Sequence, residues 1–101
     1  MSGVRLDERL ICVSSNLEIR ADNEMNGYVL YNQEKQCILI PSGTLKHIAI
    51  TETYNTRGIL EKLVGHNFTN IEKEGLTLEA IKNIITEAYF LEEERIKRQL
   101  N

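Results

Sequence analysis

The first half of the chain alternates. Leu17, Ile19 and Ala21 stand between Glu18, Arg20 and Asp22, which is the two-residue period of a strand with one wet face. The polar cluster Asp22, Asn23, Glu24 and Asn26, ending at Gly27, predicts a tight hairpin turn. Tyr28, Val29, Leu30 and Tyr31 then supply strand formers, and after the polar run 32–36 the apolar residues Cys37, Ile38, Leu39 and Ile40 predict a further strand. Pro41, Ser42 and Gly43 interrupt pairing, and Leu45 to Thr53 alternates again, with Ile48 and Ile50 on one face and His47, Ala49 and Thr51 on the other. This segment is expected to be the last strand of a small antiparallel sheet. Upstream, Leu6, Leu10, Ile11 and Val13 fit a short helix or a longer first strand, and a short entry helix is the working expectation.

The second half changes period. After Asn55 and Thr56, either of which suits a helix cap, Ile59, Leu60, Leu63 and Val64 recur at helical spacing until Gly65 supplies a stop. Thr77 is placed to cap a longer helix whose stripe is Ile81, Ile84, Ile85, Ala88 and Leu91. Its tail, Glu92 to Arg98, sets acids ahead of bases at four-residue spacing, the order favoured by side-chain pairing and by the helix dipole. Such a run is most simply a solvated face, but Leu91, Ile96 and Leu100 prolong the apolar side beyond what so small a sheet can cover. The expected architecture is mainly β with C-terminal helices: one domain over 1–101, a sheet region to residue 55, then one short and one long helix.

Composition narrows the function. With 101 residues, 42% of them hydrophobic, the chain suffices for one core. A net charge of -3 argues against a protein that coats nucleic acid. No apolar stretch approaches the ~20 residues that cross a bilayer, and Arg5, Asp7, Glu8 and Arg9 stand where a signal peptide needs an apolar core. A cytoplasmic or nuclear protein with no membrane contact is expected, and Cys12 and Cys37, which allow one disulfide but no disulfide framework, are then expected to be buried free thiols.

No enzyme is expected. Ser14, Ser15, Cys12, His47 and His66 form no recognisable nucleophile–base arrangement. Two isolated Cys and two isolated His lack the spacing of a zinc site, and the scattered glycines form no phosphate loop, so neither metal nor cofactor is expected. The Asn67-Phe68-Thr69 acceptor triplet reads as a loop with Phe68 packed inward.

The stretch from Leu17 to Asn32, with Gln36-Cys-Ile-Leu-Ile and Leu45-Lys-His-Ile-Ala-Ile-Thr, resembles the Sm or LSm fold. Within that family it is most similar to the divergent Sm-like Gemin subunits of the SMN complex, of the sixth-Gemin type. The likeness lies in the acid- and Asn-rich turn before Gly27, the short Ile-Leu-Ile strand, and the Thr-Glu-Thr-Tyr-Asn exit into a helix containing Leu60-Glu-Lys-Leu63, and it covers roughly residues 17 to 70. The family's Asp-x-x-Met-Asn loop is replaced by Asn32 to Gln36 and its Arg-Gly-Asn loop by Pro41-Ser42-Gly43, which puts ring-type RNA binding in doubt.

The resemblance implies a bent sheet or barrel and a scaffold subunit. It would pair through its strand edges with another Sm-like protein, and with further subunits, in a complex assembling spliceosomal small ribonucleoproteins. The expected partner-binding residues are Cys37, Ile38, Leu39, Ile40, Leu45, His47, Ile48 and Ile50 on strand edges, with Ile84, Ala88, Leu91 and Ile96 on the last helix. Two rival readings stand beside it. One is an LSm-type RNA-binding protein contacting phosphate through Lys46, His47 or Arg57. The other is a small microbial or viral α+β protein that dimerises through its last helix.

Overall fold

The computed structural model describes residues 8–33, 37–65, 69–72 and 76–100. The expectations for residues 4–7, for His66 and for inward packing of Phe68 lie outside them. Four strands form an antiparallel meander in the order β1-β2-β3-β4: β1 Glu8–Ser14, β2 Leu17–Asp22, β3 Gly27–Tyr31 and β4 Cys37–Pro41. Helices α1 Ser42–Ile50, α2 Thr53–Val64, α3 Thr69–Glu72 and α4 Leu78–Leu100 follow.

The opening segment is a strand over 8–14, not a helix. β-branched Ile11 and Val13 favour the pleat, and Ser15 enters the left-handed region (φ 53°) to close a tight hairpin into β2. In the next turn the Met25 amide donates to Asp22 Oδ1 (3.2 Å) and Asn26 adopts φ 53°. Gly27 follows at a point where only hydrogen fits, since a Cβ there would lie 2.8 Å from the Ile40 carbonyl oxygen on β4.

The largest departure from expectation is residues 45–50, which form most of α1 and no fifth strand. Leu45 and Ile48, three apart, are buried together, whereas Ile50 is 68% exposed, so the apolar positions obey the helical period and not the alternating one. Pro41, without an amide hydrogen, ends the ladder and stands as the N-cap of the helix. At the other end Lys82 Nζ, reaching from α4, donates to the carbonyls of Ile48 (2.7 Å) and Ala49 (2.8 Å), and the Thr51 amide donates to His47 O (3.1 Å). Three carbonyls that a helix end leaves orphaned thereby gain donors. The passage from sheet to helix therefore falls at Pro41 and not near residue 55, and among the described residues the helices number four instead of two.

The later helices follow the sequence closely. The α2 helix begins at Thr53, slightly before the expected caps, and ends at Gly65 in the left-handed region (φ 79°) with its amide on Glu61 O (2.9 Å). Thr77 Oγ1 accepts the Ala80 amide (3.1 Å) and so caps α4.

One core joins sheet and helices: Leu17, Ile19, Leu30, Ile38 and Ile40 from the strands meet Leu45, Ile48, Leu60, Leu76, Ile81, Ile84, Ile85 and Ala88. On the opposite sheet face, cross-strand neighbours Leu10, Arg20, Val29 and Leu39 form a row. Val29 is buried there, and so is Tyr31, whose hydroxyl donates to Glu8 (2.9 Å).

Candidate interaction surfaces

The strand Cys37–Pro41 is the terminal strand of the sheet, paired on one side with β3 and on the other with no described strand. Ile38 and Ile40 point into the core, while Leu39 is 47% exposed on the face away from the helices. Between Cys37 and Ile40 the edge carries no charge, and its register with β3 is unbroken. The opposite edge, β1, begins with Glu8 and Arg9 and is interrupted by a bulge between Leu10 and Cys12. Charges and bulges are the usual devices that discourage a sheet edge from accepting another strand, and β1 has both. Four of the expected edge residues therefore do lie on a terminal strand with no described strand on its outer side, and α2 packs against part of that strand.

The other four do not. Leu45 and Ile48 are buried beneath the sheet, and His47 and Ile50 project from α1 into solvent, because 42–50 is helical. In α4, Ile84 and Ala88 are fully buried in the chain's own core, out of reach of any partner, since the first half of the helix packs on β1 and β2. Leu91 and Ile96 are exposed, on opposite flanks of the stripe that Ala88 continues. Arg57, weighed above as a phosphate contact, lies between Glu61 (3.8 Å) and Glu72 (3.9 Å), which offset its charge.

Sequence reasoning missed Glu92. It stands in the acidic run that reads as solvated, yet it is buried, and it ties α4 to the sheet. Arg9 Nη2 of β1 donates to Glu92 Oε1 (2.9 Å), Arg95 Nε to Oε2 (3.1 Å), and the Tyr28 hydroxyl of β3 approaches Oε1 (3.4 Å). Burial pushes this carboxyl up, but the hydrogen bonds and charges of Arg9 and Arg95 outweigh burial and hold it below the usual carboxylate value. The same burial, with the Glu92 charge beside it, raises the Tyr28 phenol. The signal was present in the spacing: Glu92 follows Ile85 by seven residues and Ala88 by four, so it lies on the buried stripe.

Of the nucleophile candidates, Cys12 is half-buried with its thiol toward the Ile84 carbonyl (3.9 Å). Burial and the nearby Glu87 carboxylate push its pKa to about 11, which leaves almost no thiolate at neutral pH. Among the described residues no group of three His, Cys, Asp or Glu is placed to hold a metal ion, and no helix is long and apolar enough to cross a membrane. No protein-family model, curated protein or solved structure matches the chain.

Proposed function

We propose that this chain is a non-catalytic interaction subunit that takes a strand of a partner protein along the outer edge of β4. The observation that carries the proposal is the contrast between the two edges: β1 is charged and bulged, whereas Cys37–Ile40 is uncharged and unbulged, with Leu39 exposed beside it. An added strand there gains main-chain hydrogen bonds, and Leu39 supplies a side-chain contact on the outer face. Pro41 offers no amide hydrogen, so the usable edge stops at Ile40.

The resemblance to Sm-like Gemin subunits extends the proposal to an Sm-like partner and to the assembly of spliceosomal small ribonucleoproteins. Sm-like proteins join the fourth strand of one subunit to the fifth of the next. With residues 42–50 helical, this chain offers the fourth-strand side alone, which suits a pair better than a closed ring.

The test is capture from the native source with the tagged full chain and its Leu39→Lys variant. A charge beside the edge should abolish capture of the strand-pairing partner while circular dichroism stays unchanged. Equal capture by the two chains would overturn the proposal, and a captured partner without an Sm-like fold would remove its extension.

A further inference from the structure

Where the end of β4 meets the β2–β3 turn and the last turn of α2, the surface holds an apolar cleft of about 190 Å³. Its walls are Met25 and Gly27 from the turn and the start of β3, Leu39 and Pro41 from β4, and Leu63 from α2. Met25 is 49% and Leu39 47% exposed, so the cleft opens to solvent, and none of the described residues that line it is charged. The neighbouring hollow, which shares Asn26, Gly27 and Tyr28, is of the opposite kind and is lined by Arg9, Asp22, Glu92 and Arg95. An apolar side chain gains by entering the first, whereas entering the second would strip water from charges.

We infer that this cleft takes an aromatic side chain, of the phenylalanine type, from the partner strand that adds to β4; the inference rests on the strand-addition reading above. Continuity carries it. Leu39, Ile40 and Pro41, which line the cleft, are also the end of the edge along which that strand lies. Pro41 has no amide hydrogen, so a partner residue level with it makes one ladder bond fewer and is held by its side chain instead. In strand addition the main chain gives affinity and side-chain pockets give selectivity, and this pocket stands at the end of the edge where the ladder runs out. Size and lining choose the ring. An apolar cavity of ~150 Å³ holds a benzene molecule, so about 190 Å³ accommodates a phenyl ring. Met25 brings a flexible thioether, which adapts to the ring and makes a favourable sulfur–aromatic contact with it. A lysine or glutamate at that point of the partner would be buried with no opposite charge among the described residues that line the cleft.

The test uses the tagged full chain, produced with photo-methionine in place of methionine, as bait in extracts of its native source. Met1 and Met25 are the chain's two methionines, and trypsin separates them, Met25 falling in the peptide 21–35. Illumination should join that peptide to the captured partner at or beside an aromatic residue. Met25→Lys puts a charge into the cleft and should lower the partner recovered by about tenfold or more, whereas Met25→Leu should recover it to within about threefold of wild type. Position 25 is half-exposed in a turn, and circular dichroism checks each variant's fold. A crosslink from peptide 21–35 to a segment without an aromatic residue, or no crosslink at all, overturns the inference. So does undiminished capture by Met25→Lys while Leu39→Lys captures nothing, a result that leaves the strand-addition reading standing. Equal capture by Leu39→Lys and wild type overturns that reading, and the inference with it.

Discussion

Lys82→Met removes one ammonium group and keeps most of the side chain's length and apolar stem. In the native fold that ammonium donates to Ile48 O at 2.7 Å and Ala49 O at 2.8 Å, at the C-terminal end of a helix only nine residues long. A helix this short is not stable on its own, so its ends weigh heavily. A charged hydrogen bond to a buried group is worth about 1.5–3 kcal/mol, but Lys82 is half-exposed and water can reach part of what it leaves, so the two bonds together are taken as about 2 kcal/mol. For a domain of this size that corresponds to a fall in Tm of about 8–16 °C. Urea unfolding should show a lower midpoint with an unchanged slope. Lys46→Met, an exposed change on the same helix, should cost less than about 0.5 kcal/mol. A Lys82→Met protein as stable as the Lys46→Met control would refute the claim that α4 holds residues 42–50 helical.

Three further outcomes follow from the packing. Glu92→Gln should cost about 1–2 kcal/mol at neutral pH, the pairs being discounted because Arg9 and Arg95 are both about 40% exposed. Because the folded carboxyl titrates below its ordinary value of 4.5, its contribution is present above that pH and is lost as pH falls through the depressed value. The stability difference between wild type and variant, followed by urea titration, should therefore shrink toward zero in acid. Gly27→Ala should destabilise by about 1–3 kcal/mol, since its Cβ would stand 2.8 Å from the Ile40 carbonyl oxygen, and a neutral result in the same titration would contradict the close approach of β3 and β4. With Cys37→Ser as background, Cys12 should react with a thiol-specific disulfide reagent at pH 8 far more slowly in the folded than in the urea-unfolded chain, its pKa being about 11.

Much of the fold is legible in the residue order because local and tertiary preferences agree. Leu17 to Asp22 alternates and is a strand, Gly65 stops α2 in the left-handed region, and Thr77 caps α4. Residues 45–50 are the counterexample. Their β-branched isoleucines at alternate positions read as a strand, whereas the residues that bury Leu45 and Ile48 and donate to the carbonyls of Ile48 and Ala49 lie on α4, more than thirty residues away. Glu92 fails for a related reason. Its neighbours Glu93 and Glu94 make it look solvated, while its partners Arg9 and Tyr28 come from strands at the other end of the chain. Of the expected interaction residues, Cys37 to Ile40 were readable as an edge because an apolar tetrad before a proline marks a short strand end. Ile84 and Ala88 were not readable as surface or core, since an apolar stripe serves either.

The central functional claim, that a partner strand adds to β4, is tested most directly by hydrogen exchange on the full chain with and without its captured partner. The claim predicts that the edge-facing amides within Cys37–Ile40 slow by about tenfold or more on binding, while those of β1, Glu8–Ser14, keep their rates. A bound partner that leaves the β4 amides unchanged, or that protects β1 instead, would contradict it.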